Sequence, residues 1–492
     1  MTVVNPKSIS GINSITTGSG SDNLLTIHTN DGTERVRVDS TGTTKIVTGI
    51  VTTLTATTGI VTTLTTNTLT ANSTAKVGSG VTLSPDGDVF VTGVTTSTTV
   101  QVGGGVTISE SGIEASGIGI TVANINGGAV SGRRNMIING DQRLAQRNTT
   151  AKLVTTDATY RCVDRFKTDI DGSSGGNFFH GQTGAGTSIT ADVPTGQGFT
   201  HSSKITVNAS VSQPSGTDNR HQFYTMLEKQ DVAHLEWGTS AAKTCTLSFW
   251  VKSSVAGTYI LWIKFYGATA YHYYTNYTID SANTWEKKVI TLTGHTSGGN
   301  VSGTVTDQGF LIEWNLGTSS GNETGTLNEW TTSGTIRAAS GSVYLPENAG
   351  ATWYLTGVQF EVGSQATAFE HRSMAEELAL CQRYFQQFVN ICAVGYVPNN
   401  SSKSYSHAII HPVEMRAAPT VSLTNTGSSQ GQSVTDGENT VYVSSLLSTG
   451  RLTSHSTLSF NLSGDLTNYR GAYLGGTTNT ANQTTISFNA EL

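Results

Sequence analysis

A tyrosine-rich stretch of the chain has the side chains that proteins use to recognise sugars. Five tyrosines lie between residues 264 and 277, together with one histidine and one asparagine. A tyrosine ring offers a flat apolar face and a polar tip, which suits a wet binding surface. Because side chains alternate along a strand, only half of them can share one face of a sheet. The candidates are Tyr271, Tyr273 and Trp314 as stacking rings and His272 and Asn276 as polar partners. The alternative is that these residues belong to the core and turns of a sandwich.

Pairs of carboxylates are what a polysaccharide-cleaving enzyme would need. Glycoside hydrolysis uses two carboxylates roughly 5 to 9.5 Å apart across a cleft. The candidate pairs are Asp169 with Asp171 and Glu323 with Glu329. Neither pair stands in a motif, and the sequence has no G-x-S-x-G elbow, no H-E-x-x-H and no P-loop. We therefore predict a protein that is not an enzyme, with a depolymerase as the enzymatic alternative.

The composition favours an all-β fold. Charged residues make up 13% of the 492-residue chain, against roughly 25% in a typical soluble protein. Threonine, serine, glycine and asparagine are abundant instead of charged residues. Threonine fits a pleated surface, and serine, glycine and asparagine form tight turns. A net charge of −6, with no cluster of basic residues beyond short pairs, argues against a nucleic-acid partner. No apolar run is long enough to span a membrane.

The four cysteines indicate free thiols. No two of them have C-x-x-C spacing, so neither a zinc site nor a redox motif is predicted. Free, buried cysteines fit a chain that folds in the reducing cytoplasm of a host and then works outside it. The cysteines are Cys162, Cys245, Cys381 and Cys392.

The first third of the chain is repetitive and has almost no aromatic residues. Phe90 is the only aromatic residue before residue 133, whereas a compact domain of that size uses several to build its core. The repeats are residues 48–55 with 58–65, and residues 77–84 with 102–109. Fixed periods are typical of stacked units that bury their faces against neighbours.

Each repeat predicts a short strand, a glycine-bearing turn and a second strand. One copy cannot cover its own apolar row, but three chains around a shared axis would bury the rows and close the strand edges. We therefore predict a homotrimeric β-repeat shaft over residues 41–132; the alternative is a flexible Ser/Thr/Gly linker. Residues 1–40 predict two strands around a turn at Asp31 and Gly32. From their position alone, we predict that they serve for attachment.

The middle of the chain predicts a sandwich with a large core. All seven tryptophans lie between residues 237 and 353. Several strands at regular spacing, separated by Gly- and Asn-rich turns, favour a jelly roll. The predicted strands cover residues 244–252, 258–265, 285–293, 310–316 and 352–362.

Short motifs follow one another in order through the same region. They are residues 135–141 (NMIINGD), 145–147 (AQR), 163–166 (VDRF), 247–253 (LSFWVKS), 354–363 (YLTGVQFEVG), 369–373 (FEHRS) and 376–384 (EELALCQRY). With them, residues 133–390 resemble a module of phage tail fibres, many from marine and cyanobacterial hosts, that is similar to carbohydrate-binding jelly rolls. Phe166 departs from the family, in which tryptophan is commoner there, and this affects packing more than function. Residues 411–421 and 486–492 also resemble such fibres, and the repeats before residue 130 resemble cyanophage structural proteins.

The resemblance implies one cofactor. Related carbohydrate-binding jelly rolls often hold a structural calcium ion between the first and last strands of the module, where Asp141 and Glu361 lie. Carboxylates together with backbone carbonyls suit this hard cation. A plain surface role for both carboxylates is the alternative.

One helix is predicted, over residues 373–390. Ser373 is a plausible N-cap, and Glu376 three residues later completes a capping box. The spacing of Met374, Leu378, Cys381, Phe385 and Phe388 matches a heptad seam. The helix either packs on its own sandwich or joins two others around a trimer axis.

Together these patterns predict a five-part chain. Its parts are residues 1–40 for virion attachment, 41–132 as the shaft, 133–372 as the jelly roll, 373–390 as the linking helix and 391–492 as a small C-terminal β-sandwich. The predicted function is that of a fibre subunit on the virion, which attaches to host-surface polysaccharide or lipopolysaccharide. A structural fibre on the head or neck without receptor binding is the second hypothesis, and a depolymerase is the third.

Overall fold

The computed structural model describes most of the chain from residue 133 onward and short stretches before it. The described residues are 25–28, 31–38, 44–46, 75–77, 81–83, 89–91, 99–102, 106–109, 112–115 and 133–492 without 149, 156–159, 172–176, 184–191, 217–219, 324–325, 335–337, 390, 401, 425–431 and 476–484. The chain divides into two compact units, Met1–Gly119 and Ile120–Leu492.

The described strands of the first unit form three-stranded antiparallel sheets. They are β1 (Leu25–His28), β2 (Glu34–Val38), β3 (Thr44–Ile46), β4 (Ala75–Val77), β5 (Val81–Leu83), β6 (Val89–Val91), β7 (Thr99–Val102), β8 (Val106–Ser109) and β9 (Gly112–Ala115). Neighbours along the chain pair in the orders β1-β2-β3, β4-β5-β6 and β7-β8-β9. In the second repeat, β5 and β8 begin at equivalent positions, Val81 and Val106. The repeat at residues 48–65 lies outside the described residues.

The second unit begins with a sandwich of two antiparallel sheets. Its strands are β10 (Lys152–Val154), β11 (Phe166–Asp171), β12 (Asn177–Thr183), β13 (Ser202–Ala209), β14 (Arg220–Glu228), β15 (Cys245–Ser253), β16 (Gly257–Tyr266), β17 (Ala270–Ile279), β18 (Glu286–Leu292), β19 (Gln308–Thr318), β20 (Trp330–Thr331) and β21 (Thr352–Val362). The first sheet has the order β10-β12-β13-β21-β15-β18, and the second has the order β11-β14-β19-β16-β17-β20. The five strands predicted from alternation are confirmed as β15, β16, β18, β19 and β21.

Aromatic side chains fill the space between the two sheets. Trp314 from the second sheet and Trp353 from the first are both fully buried. Phe223 lies between them, with its ring centroid 6.4 Å from that of Trp314 and 5.6 Å from that of Trp353. Phe166, at the position where the family prefers tryptophan, stacks on Phe223 at 5.5 Å. Burial of such large apolar surfaces is the main stabilising contribution to this sandwich.

The first motif of the module holds the start of the sandwich against β21. The side-chain amide of Asn135 donates to the carbonyl of Val358 (3.0 Å), and its oxygen accepts from the backbone N–H of Phe360 (3.1 Å). A Cβ atom on Gly140 would lie 2.2 Å from the carbonyl oxygen of Val358, so only glycine fits there. Asn139 adopts a positive φ of 58° and donates to the carbonyl of Leu144 (2.9 Å). These motif residues therefore have structural roles.

A closed barrel and a three-stranded sheet follow the sandwich. The strands are β22 (Phe385–Val389), β23 (Ala393–Tyr396), β24 (Lys403–Ile410), β25 (Thr420–Thr424), β26 (Ser433–Thr435), β27 (Thr440–Arg451), β28 (His455–Leu462), β29 (Gly471–Gly475) and β30 (Thr485–Asn489). The barrel has the order β23-β24-β28-β27-β26-β29, and β30 pairs with β22 and β25. The prediction of a small sandwich was wrong in this respect. Register shifts in β24 and twice in β27 bend these strands, and such bulges help a sheet to close on itself.

Two short α-helices occur in the described part of the chain, α1 (Lys229–Val232) and α2 (Met374–Gln382). The predicted N-cap is confirmed, since the Ser373 hydroxyl accepts from the backbone N–H of Glu376. The predicted helix to residue 390 was too long, because Phe385 and Phe388 lie on β22 and pair with β30. The heptad seam therefore does not continue past Cys381. Neither helix is long and apolar enough to cross a membrane.

All four cysteines are free thiols, as predicted. Cys162, Cys245 and Cys381 are buried, whereas Cys392 is exposed and departs from the prediction of a buried thiol. Burial raises the pKa of Cys162 to about 11 and that of Cys245 to about 12, so both remain protonated at neutral pH.

A buried cluster of charges joins the last residues of the chain to the sandwich. Glu491 forms ion pairs with Arg165 and, at 3.1 Å, with Arg147. Arg147 also lies 3.4 Å from the carboxylate of Asp164. The Arg165 guanidinium lies 3.4 Å from the ring centroid of Tyr384. The two arginines and two carboxylates balance each other, which is the condition under which charges tolerate burial.

Candidate functional site

Alternation along β17 divides the predicted sugar-binding residues between two faces. Tyr273 packs against the inter-sheet core, and its ring centroid lies 5.1 Å from that of Trp330. Tyr271 lies beside the His295 ring, with 3.7 Å between the centroids. His272 is buried on the opposite face, which points away from the core, and Asn276 is exposed. The five predicted residues therefore do not form one site.

Trp314 is a core residue, and its prediction as a stacking ring was wrong. It is fully buried, and the ring centroids of Phe249 and Phe166 lie 5.5 Å and 6.3 Å from its own. It pairs in register with Phe223 and Leu261, whose side chains also face the first sheet. A ring enclosed in this way stabilises the sandwich and is not available to a ligand.

The face of the second sheet that points away from the main core carries Tyr224, Trp262, Tyr274 and Leu311, and we call it the outer face. Three parallel rings lie on it. The Trp262 ring centroid lies 5.5 Å from that of His272 and 5.7 Å from that of Tyr274, with interplanar angles of 8° and 7°, and the centroids of His272 and Tyr274 are 6.5 Å apart. The pairing of Tyr274 with Trp262 across β16 and β17 produces this stack. Sequence reasoning missed Trp262, although it alternates with core residues along β16.

Polar side chains surround the stack. The Arg220 guanidinium lies 5.1 Å from the Trp262 ring centroid. With its amide nitrogen turned toward Glu313, Gln222 donates to that carboxylate (2.6 Å) and accepts from Nε of Arg220 (2.5 Å). Glu313 is fully buried and supplies a negative charge close to Arg220. The outer face therefore combines flat rings with planar groups that form hydrogen bonds, a combination suited to sugars.

Two polar atoms of the stack lack hydrogen-bond partners. Nε1 of Trp262 and Nδ1 of His272 are both buried and unpartnered. Burial lowers the pKa of His272 to about 4, and the positive charges of Lys264 and Arg220 act in the same direction. His272 is therefore neutral at physiological pH and can donate or accept a hydrogen bond.

The segment between β19 and β21 lies over much of the outer face. The backbone N–H of Asn328 donates to the carbonyl of Tyr274 (2.7 Å), and its side chain accepts from the Thr275 hydroxyl (2.6 Å). Ala338 is buried against the ring cluster. Trp262 and His272 are each only 7% exposed, so the stack forms the floor of the face and not its accessible rim.

An open polar pocket lies at one end of the outer face, and we call it the end pocket. Its volume is about 430 Å³, and Tyr266, which packs against the ring cluster, forms part of its wall. Its polar lining consists of Lys229, Asp307, Gln308 and Arg416. The Lys229 ammonium donates to the carbonyl of Ser302 (2.6 Å) and lies 3.7 Å from the Asp307 carboxylate. The pocket thus combines one half-buried ring with ammonium, carboxylate and amide groups.

The two carboxylates assigned to calcium lie in different surroundings. Asp141 forms an ion pair with Arg143 (3.0 Å), and its backbone carbonyl accepts from Thr356 (3.2 Å). Glu361 accepts from the hydroxyl and the backbone N–H of Thr367, at 2.7 and 2.9 Å. Thr356 and Glu361 are five residues apart on β21, about 16 Å of extended chain. The described residues contain no group of three or more His, Cys, Asp or Glu side chains able to hold a metal. The structure does not bring these two carboxylates together, and the calcium site stays a prediction.

The carboxylates considered for hydrolysis hold structural contacts where they are described. Glu323 accepts from the Gln213 amide (2.9 Å) and from the backbone N–H of Gly341 (3.0 Å), which fixes the start of the covering segment. Asp169 pairs in register with Gln222 at the edge of the second sheet. The two hydrogen bonds give the Glu323 carboxylate a structural role.

Comparisons with known proteins find likenesses only among solved structures. No protein family and no curated protein matches the chain. One match is the enzymatically active domain of bacteriophage CBA120 tailspike protein 4, with 13% identity, a TM-score of 0.23, and coverage of 46% of this chain and 21% of that one. A family 11 carbohydrate-binding module from Clostridium thermocellum, in complex with a mixed-linked tetrasaccharide, has 13% identity, a TM-score of 0.21, and coverage of 45% and 100%. A xylan-binding domain from Paenibacillus barcinonensis has 10% identity, a TM-score of 0.22, and coverage of 48% and 100%. The assignment of a β-sandwich rests on the strand pairing of this chain itself.

Proposed function

We propose that the chain is a non-enzymatic viral fibre subunit that binds host-surface glycan through the outer face of the second sheet. The observation that carries this proposal is the open polar pocket of about 430 Å³ at the end of the outer face, where the ring of Tyr266 lies beside polar side chains. Sugars present apolar ring faces and hydroxyl groups, and an aromatic surface with planar polar groups complements both.

Assembly as a homotrimer is part of the proposal. The described strands of the first unit are three to five residues long and form sheets of three strands, too small to enclose a core of their own. Three copies would share their apolar rows, and residues 1–40 would connect the fibre to other virion proteins. A trimer would present three weak glycan sites together, so that avidity makes attachment firm.

Glycan-array binding of the full chain tests the site. We expect Tyr266→Ala and Gln308→Ala to weaken binding of the selected glycan at least tenfold, because a stacking surface or a hydrogen-bonding amide is lost from the end pocket. Tyr473→Ala is the matched control, since it removes a tyrosine that is 57% exposed on the C-terminal barrel. The melting temperature of each variant is compared with that of the parent, so that a loss of binding through unfolding is recognised.

The outcomes separate the alternatives. Unchanged binding in both end-pocket variants, together with a loss in Tyr473→Ala, would move the receptor site from the sandwich to the barrel. A chain that binds no glycan selectively would be a structural fibre of the head or neck. Release of reducing ends from host polysaccharide would identify a depolymerase and overturn the non-enzymatic proposal.

A further inference from the structure

A second, larger cavity lies beside the opening motif and helix α2. Its volume is about 850 Å³, within the range of small-molecule sites. Met136, Ile138, Val362 and Leu380 supply an apolar wall. None of these residues belongs to the outer face of the second sheet or to the end pocket, so the cavity is a separate feature.

Positive charge dominates the polar lining of this cavity. Arg133, Arg134, Lys243 and Arg372 line it, whereas Asp231 is its one lining carboxyl group among the described residues. Burial and the nearby carboxylate of Glu228 raise the pKa of Asp231 above its usual value.

Two of the four cations remain available to a ligand. Arg133 pairs with Glu370 and Glu376, which lie outside the cavity lining. Arg134 is half-buried, and no ion pair or side-chain hydrogen bond is found for it in the described structure. The Lys243 ammonium is exposed and donates to one carbonyl, that of His234 (2.7 Å), which leaves two of its three N–H groups for other acceptors.

A buried donor of Arg372 lacks a partner. The Arg372 side chain is 5% exposed, and one of its terminal nitrogens donates to the carbonyl of Ile137 (3.0 Å) and to the carboxylate of Glu377 (3.3 Å). Its Nε, in contrast, is buried without a hydrogen bond, and the nearest carboxylate oxygen, on Glu370, lies 3.8 Å away. Arg372 therefore contributes to the wall of the cavity, and contacts with a ligand are left to Arg134 and Lys243.

We propose that this cavity binds a carboxylate-bearing sugar residue. The carboxylate would accept from Arg134 and Lys243, while the apolar face of the ring would lie against Met136 and Leu380. Charge complementarity selects the acid over a neutral sugar, and the apolar wall selects a ring over a simple inorganic anion. This site shares no lining residue with the end pocket, so the proposed fibre would read two features of a host polysaccharide.

Isothermal titration of the full chain tests the cavity with three probes: sodium glucuronate, N-acetylneuraminate and glucose. Binding of one or both acids, with glucose at least tenfold weaker, is the expected result. Binding should also weaken as salt is added, because it depends on charge. Equal affinity for glucose and the acids, or no binding of either acid, would overturn the proposal.

Substitutions at the rim locate the binding. Arg134→Gln and Lys243→Gln remove one charge each from partly exposed positions, and each should weaken acid binding at least fivefold. Lys287→Gln, at an exposed lysine of β18, is the matched control and should leave it unchanged. If both rim variants bind the acids as tightly as Lys287→Gln does, the acids do not bind in this cavity and the proposal is refuted. The same rim variants should keep their array binding through the end pocket, so the two proposals can fail independently.

Discussion

Removal of one carboxylate from the buried charge cluster should destabilise the protein far more than removal of a carboxylate from a surface ion pair. In Glu491→Gln, Arg165 keeps its charge while its side chain is 1% exposed, and Arg147 is 10% exposed. Arg165 cannot turn into solvent easily, because it donates to the carbonyl of Met226 (2.6 Å) and packs on Tyr384. An uncompensated buried charge costs about 3 to 5 kcal/mol. We therefore expect the free energy of unfolding to fall by roughly that amount.

Urea denaturation at pH 7 measures this change, and the chain supplies a matched control. Glu438 pairs with Arg470 at 2.7 Å, but their side chains are 61% and 41% exposed. Glu438→Gln should therefore cost less than about 1 kcal/mol. In the double variant Glu491→Gln with Arg165→Met, which removes both charges, much of the loss should be recovered. A Glu491→Gln variant as stable as Glu438→Gln would refute the role of the cluster in holding the last residues of the chain to the sandwich.

Three further predictions concern the sandwich. Trp314→Ala should lower the free energy of unfolding by about 3 to 5 kcal/mol in urea denaturation, because it empties a fully buried site. The more conservative Trp314→Phe should retain glycan binding. Selective loss of binding in Trp314→Phe would show that this residue contacts the ligand. Gly140→Ala should cost about 1 to 3 kcal/mol, because its Cβ would meet the Val358 carbonyl at 2.2 Å; a melting temperature equal to that of the parent would contradict this. Burial lowers the pKa of His180 to about 3, below the unfolded value of about 6.5, so its contribution to stability is complete above pH 6.5 and is lost as the pH falls toward 3. Between pH 7.5 and pH 4.5, the melting temperature should therefore fall more for the parent than for His180→Asn. Equal falls in the two proteins would refute this prediction.

The sequence predicts the strands better than it predicts the site. Alternation located β15, β16, β18, β19 and β21, because each has a core face that must stay apolar. Pairing between strands distant in the chain placed Arg220 and Glu313 beside Trp262, and no local pattern contains that information. The helix was predicted too long, because Phe385 and Phe388 fit a heptad and a strand equally well until the pairing with β30 decides between them.

The measured mass of the full chain in solution tests the account most directly. Light scattering at micromolar concentration should give three times the chain mass of 51.7 kDa, because in the proposed fibre the aromatic-poor repeats bury their apolar rows between copies. A folded particle with the mass of a single chain would contradict the fibre assignment.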